Sequence, residues 1–271
     1  MSPAMAEFGA KDVKALRDQT GAGMMDAKRA LTENGGDFAA AARWLREQGL
    51  AAQEKRSDRH NTEGAVALAV HDNVVAIVEL RCETDFVAKS SDFTELADEL
   101  AAAVAERGEE ATAELAGRLD DLKVTLKENL ELGRVVRLEA GPGHVLDTYL
   151  HVQNDRGKNA VAVELAGGDR ALAHDIAVHI AFARPAHLTR DEFPTEVVAA
   201  KREELENLSR NEGKPEQALP KIVEGRLNGF FKERPGGALL EQPFVKDESQ
   251  SVGQLLDGAT VVRFAQVEVG G

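Results

Sequence analysis

The stretch "GAVALAVHDNVVAIVELRCE", residues 64–83, constrains the fold of this 271-residue chain more than any other. Two alternating apolar runs flank His71-Asp72-Asn73, which predicts an antiparallel β-hairpin. A helix follows over about 92–107, with Leu96, Leu100 and Val104 at fourfold spacing, and a second helical segment over about 111–130. The pattern then recurs. Residues 134–140, 145–152 and 160–165 read as strands, separated by Gly141-Pro142-Gly143 and "NDRGKN". They precede a helix over 169–184 whose apolar stripe includes Leu172, Ile176 and Ile180. Strands followed by a helix, twice over, predict two related α+β subdomains side by side. Aromatic residues are only 4% of the chain. Alanine, valine and leucine must therefore build the cores, which favours thin layers of helix on sheet.

Ahead of this core, residues 11–20, 24–31 and 38–48 read as three short helices. Gly21-Ala22-Gly23 and Gly35-Gly36 separate them, with Asp37 as N-cap of the third and Gly49 suited to its C′ position. Their small core centres on Leu16, Leu31, Phe38, Trp44 and Leu45, as expected of a recognition head. "AAQEKRSDRHNT", residues 51–62, has almost no large apolar side chain and reads as a linker. Later, 195–210 and 215–232 form a helical hairpin around "NEGKP". Val197, Val198, Leu205 and Leu208 on one arm can meet Leu219, Ile222, Val223, Leu227 and Phe230 on the other. A short helix at 252–256 and a strand at 260–269 close the chain. The scheme is an α+β protein with a head at 1–50, a linker at 51–62 and core subdomains at 63–132 and 133–271. The helical hairpin is inserted at about 195–233.

The formal charge is −14. Between Asp92 and Glu139, thirteen acidic residues face six basic ones, which argues against direct binding to phosphate backbones. A single cysteine, Cys82, excludes an internal disulfide and a thiolate-rich metal site. No apolar stretch has signal-peptide or membrane-span length, so the cytoplasm is the expected compartment. No phosphate loop, HExxH motif or other metal-ligand spacing is present, and no cofactor is expected. His174 and His179, five residues apart, fall on different helix faces. Cys82 closes an apolar strand and reads as packing. Glu79, Glu83 and Asp85 could form a carboxylate cluster, but no partner base or oxyanion donor accompanies them. An enzyme is therefore not expected.

The corner "CETDFVAK" poses the sharper question. The apolar alternation stops at Glu83-Thr84-Asp85, Phe86 follows, and Ser90-Ser91-Asp92 opens the next helix. On the residue types alone, burial against the core is the commoner fate of such a ring. Met24-Met25, after the Gly-Ala-Gly turn, cannot both face one small core, so at least one is expected to be exposed; an adaptable methionine suits a protein contact.

Three motifs in order resolve the ambiguity. "VKALRDQTGAGMMDAKRALTENGGD" resembles the N-terminal segment of bacterial elongation factor Ts, and "CETDFVAK" its core signature. "EGKPEQALPKIVEGRLNGFFKE" with "QPFVKDESQSVGQLL" is similar to the C-terminal half, in its actinobacterial form. The resemblance spans nearly the whole chain. It implies a ubiquitin-associated-like three-helix head, a two-subdomain core and an inserted antiparallel coiled coil. It also implies guanine-nucleotide exchange on elongation factor Tu, without covalent catalysis, cofactor, membrane or direct nucleic-acid contact.

Carried over by matching motif, Asp85 and Phe86, flanked by Thr84 and Val87, would disturb the partner's nucleotide site, with the ring pointing outward. Leu126 and His151 would support that contact. Lys14, Arg17, Met24, Met25 and Lys28 would form the head surface, with Arg56 a linker contact. Val245 and Lys246 would form a C-terminal contact; methionine is familiar at the position of Lys246. One departure stands out. "LKEN" replaces a common Ile-Gly-Glu-Asn, so Lys127 stands where a glycine would allow a positive φ or a close approach. A non-catalytic binding module for the same GTPase, or a specialised copy for a variant of it, is the alternative reading.

Overall fold

The structure is a computed structural model describing residues 8–54 and 58–271. The head consists of α1 (Ala10–Thr20), α2 (Met24–Glu33) and α3 (Phe38–Glu54). Gly21, at φ 65°, ends α1 by donating its amide to Arg17 O, and Asp37 Oδ1 accepts Ala40 N to start α3. Val13, Leu16, Ala27, Ala30, Leu31, Ala41 and Leu45 are buried in its core. Phe38 and Trp44 only flank that core, because much of its interior is closed by alanines at close helix contacts.

Helix α3 does not stop at Gly49. It continues to Glu54, into the stretch read as a linker, and Gly49 has a different use. A Cβ there would lie 2.5 Å from Val124 Cγ1, so the glycine permits close approach of another helix, α6.

The core begins with the hairpin β1 (Glu63–His71) and β2 (Val74–Cys82), paired His71 to Val74 across Asp72 at φ 51°. A one-turn helix α4 (Asp85–Ala88), then α5 (Ser91–Arg107), a 3-10 turn and α6 (Ala116–Leu126) lead to β3 (Glu131–Glu139). Strand β3 pairs with β2, giving an antiparallel sheet β1-β2-β3. The first sheet thus includes residues that the sequence pattern grouped with the later strands.

Strands β4 (His144–Gln153), β5 (Arg156–Ala166) and β8 (Thr260–Glu268) form a second antiparallel sheet in that order. The β4–β5 turn is only Asn154-Asp155, both with positive φ, a type I′ turn. Residues 156–159, read as loop, are strand. Helix α7 (Arg170–Ala183), capped by Asp169 Oδ1 accepting Leu172 N, covers this sheet. The arm α8 (Thr195–Asn211) and α9 (Leu219–Phe230) follows, then β6 (Pro243–Phe244), β7 (Asp247–Ser251) and α10 (Val252–Leu255).

The two subdomains stack rather than merely lie side by side. Val66, Val75, Ile77 and Leu138 from the first sheet meet Ala160, Ala162, Ala265 and Val267 from the second. On the outer faces, α5 covers Ala76, Val78, Leu80 and Cys82, while α7 covers Val161, Val163 and Leu165. The order of layers is helix, sheet, sheet, helix. Central strands β2 and β5 are therefore buried on both faces, which explains their nearly continuous apolar composition. Within the arm, Val198, Leu205, Val223, Leu227 and Phe230 pack together. Val197 and Leu208 fall off that stripe and stay exposed.

Glu79 is an exception within β2: a carboxylate only 1% exposed. Burial alone would raise its pKa. The Arg81 guanidinium at 2.9 Å and the Gly270 and Arg134 amides at 3.1 and 3.2 Å outweigh that and hold it below the usual range. A depressed carboxylate pKa contributes stability above the unfolded value, here 4.5, which is lost as pH falls through the lower folded value. Glu79→Ala should therefore cost about 3 kcal/mol in urea unfolding at neutral pH. The loss relative to wild type should shrink as pH drops below about 4.5. A second prediction concerns Lys127, which ends α6 at φ 60°, the left-handed conformation that a glycine would supply without strain. Lys127→Gly should raise unfolding stability by about 1 kcal/mol, read as a higher denaturant midpoint at unchanged slope.

Candidate functional site

Strand β2 ends where its last inward side chain, Cys82, is fully buried and donates its thiol to Thr84 O at 3.2 Å. Burial pushes that thiol up to about 12, so it is an inert packing group and not a nucleophile. The chain then turns into α4. Thr84 caps it, its Oγ1 accepting Val87 N at 3.4 Å. Ala88 is buried and Val87 partly so, both against the first core. These two residues plug the turn into the sheet, and the opposite side of the turn faces water.

Phe86 is on that outer side and is 77% exposed. The resemblance, not the general preference of aromatics for burial, gave the right orientation. Full burial of such a ring is worth about 1.5–3 kcal/mol, most of which the free protein forgoes. Asp85, beside it, pairs with Lys89 Nζ at 2.8 Å, and that ammonium lies 5.0 Å from the Phe86 ring centroid. The Lys89 hydrogen bond holds the Asp85 carboxyl below its ordinary range, so it is ionised at neutral pH. The corner thus presents a largely exposed aromatic ring next to a carboxylate paired with Lys89.

The loop after α6 closes against this corner. Leu126 packs on the first core. Glu128 accepts the amides of Glu83 and Thr84, and Glu83 in return accepts the amide of Asn129. Sequence reasoning missed this clamp: it joins positions about forty-five residues apart, and "KEN" carries no local signal of it. Glu83 is thereby a structural carboxylate, and Glu79 is buried in the sheet, so the three acids do not form an acid–base cluster.

The other expected residues lie on different elements. On the head, Lys14, Arg17 and Lys28 are exposed, with Arg17 beside Asp18 at 3.1 Å. Met24 and Met25 are both exposed, at 46% and 73%. The head is seated on α6 through Gly49 against Val124, Gly21 near Thr125, and the Arg46–Asp121 pair at 3.1 Å. Arg56 lies outside the described residues. His151 is exposed on β4, its ring stacked with Tyr149 at 6.5 Å. The nearby β4–β5 turn crosses the start of β1, where Arg156 pairs with Glu63 at 2.6 Å and Gly157 abuts Val66 O. Since Glu63 pairs with Cys82, this turn lies at the corner end of the stacked sheets.

Val245 and Lys246 are held against α7, on another part of the molecule. Val245 N donates to Nδ1 of the buried His179, and Lys246 pairs with Asp175 at 2.6 Å. His174 sits on a different face of α7, 3.1 Å from Asp147. The structure therefore joins residues 84–87 to 126–129 directly. The head is linked to them through α6, and the C-terminal pair is carried separately.

Among the described residues, no cluster of His, Cys, Asp or Glu could hold a metal ion, and no helix is long and apolar enough to cross a membrane. Comparison with known proteins adds the lineage. The family model "Elongation factor TS" matches residues 83–271. The elongation factor Ts of Clavibacter michiganensis is 45% identical, covering 98% of this chain and 100% of its own. That of Renibacterium salmoninarum is also 45% identical with the same coverage. That of Mycobacterium tuberculosis is 44% identical over 98% of this chain and 99% of its own. With its fold and with this agreement along nearly its whole length, the chain belongs to the elongation factor Ts family.

Proposed function

We propose that this protein is a guanine-nucleotide exchange factor that binds elongation factor Tu and promotes release of GDP. The observation that carries this reading is Phe86, a large ring held 77% exposed on a capped turn beside an ionised carboxylate. Exchange needs no bond-making. It needs a factor whose binding and the binding of GDP each weaken the other, a coupling that is reciprocal. The ring and Asp85 enter the partner's nucleotide-binding region and distort it, and Thr84, Val87 and Leu126 support them from behind. The exposed head residues Lys14, Arg17, Met24, Met25 and Lys28 hold the partner's nucleotide domain, joined by Arg56. His151 adds a contact on the corner side of the core, and Val245 and Lys246 add one further away.

Magnitudes support this division of labour. Loosening a nucleotide a thousandfold takes about 4 kcal/mol. A strong interface hot spot commonly gives about 2–4 kcal/mol, which favours a share of the coupling from the gripping surfaces. The protein acts by binding, in the cytoplasm, and uses neither a cofactor nor nucleic acid of its own. The inert Cys82 thiol supports a non-enzymatic reading.

Phe86→Ala should reduce factor-stimulated GDP release about tenfold or more, while affinity for nucleotide-free elongation factor Tu falls less. Stopped-flow release and titration calorimetry measure the two separately; an equal loss in both contradicts the wedge. Cys82→Ser tests the enzymatic alternative. Stimulated release should stay within about twofold of wild type, since a serine hydroxyl fills nearly the same space and can still donate to Thr84 O.

A further inference from the structure

Helix α4 is four residues long, far too short to hold its own geometry in water. Its direction, and that of the Phe86 ring, must be imposed from outside. The plug of Val87 and Ala88 fixes how deep the turn sits, and at its entry from β2 the Cys82 thiol holds Thr84 O, which leaves the Glu83 and Thr84 amides to be held from elsewhere. Glu128 holds them. Oε2 of Glu128 accepts Glu83 N at 3.0 Å and Thr84 N at 3.1 Å, while Oε1 accepts the Thr84 hydroxyl at 2.5 Å.

The last of these bonds has a further effect. A threonine hydroxyl has one proton and two lone pairs. Donating the proton to Glu128 leaves a lone pair to accept Val87 N, which is the cap of α4. One carboxylate therefore satisfies two otherwise free amides and selects the hydroxyl rotamer that starts the helical turn.

Glu128 is itself rigidly mounted. Glu83 Oε1 accepts Asn129 N at 2.7 Å, and Asn129 Nδ2 donates to Arg59 O at 2.9 Å. Just before it, Lys127 is in the left-handed conformation, and α6 is held from two sides. Leu119, Leu122 and Leu126 lie on the first core, while Asp121, Val124 and Thr125 lie against the head.

We propose that Glu128 is a positioning residue for exchange: its carboxylate fixes the direction in which Asp85 and Phe86 leave the molecule. Its effect on nucleotide release rests on the exchange reading above; its effect on the corner does not. Hydrogen exchange of the free, full-length protein gives the primary test, with Glu128→Ala and Glu128→Gln. Glu128→Ala should speed amide exchange across residues 83–88 about tenfold or more, with β1–β3 protection unchanged, because charge-assisted bonds are lost. Glu128→Gln should restore most of the protection, since its carbonyl can accept both amides and its NH₂ can donate to Thr84 Oγ1, whose other lone pair still accepts Val87 N, with only the charge assistance lost.

With elongation factor Tu·GDP carrying a fluorescent nucleotide, Glu128→Ala should lower stimulated release about tenfold. Affinity for the nucleotide-free GTPase should change by less than about threefold, and Gln should again rescue. Unchanged protection at 83–88 in Glu128→Ala overturns the proposal, as does equal loss of release and affinity, or failure of the Gln variant to restore protection. Absence of stimulation by the wild-type protein would instead sink the exchange reading, and the amide protection would still decide whether Glu128 fixes the corner.

Discussion

The layer between the two sheets is the contact on which the rest of the molecule depends. Val75 and Ile77 on β2 face Ala160 and Ala162 on β5 across it, and small side chains on the second sheet let the two backbones approach closely. Because β2 and β5 are thereby buried on both faces, neither subdomain has a complete core without the other. Gly157 marks the tightest point: an added Cβ would lie 2.1 Å from Val66 O. Glu79 adds a polar tie, accepting Gly270 N from the end of the second sheet's last strand.

That rigidity gives an exposed corner its use. A ring on a flexible loop would lose conformational freedom on meeting a partner, and that cost would subtract from the distortion it can impose. Here β2 delivers the chain to a fixed point, Thr84 caps the turn, and the carboxylates of Glu83 and Glu128 lock two segments to each other. The head is seated on the helix that leads into this clamp, so the two surfaces proposed to meet the partner share one support, α6. In the proposed mechanism, energy from gripping can then act on the nucleotide site, because the linkage between grip and wedge does not yield.

Much of this was legible in the residues. The Asp72-Asn73 turn, the Asp37 cap and the apolar stripe of α7 followed from local periodicity and turn chemistry, which act over a few positions. The stacking of the sheets did not follow, because alternation shows that a strand has a buried face but not what covers the other one. Gly49 looked like a helix stop and is instead a contact point, since a glycine before a polar stretch reads the same in both roles. Phe86 shows the limit most clearly. Its chemistry argues for burial, and only the motif around it, matched to a family, indicated exposure. Glu128 lay in the matched "LKEN" segment, but its role there was not legible, because its partners are forty-four and forty-five residues away.

The most direct measurement is the rate of release of a fluorescent GDP analogue from elongation factor Tu of the same organism, followed as a function of this protein's concentration. Exchange by wedge and grip predicts acceleration of about a hundredfold or more that saturates as the ternary complex fills, and, separately at equilibrium, the factor and the GDP analogue each weakening the other's affinity for the GTPase by one common factor. Release that stays at its intrinsic rate while the two proteins demonstrably bind would contradict it.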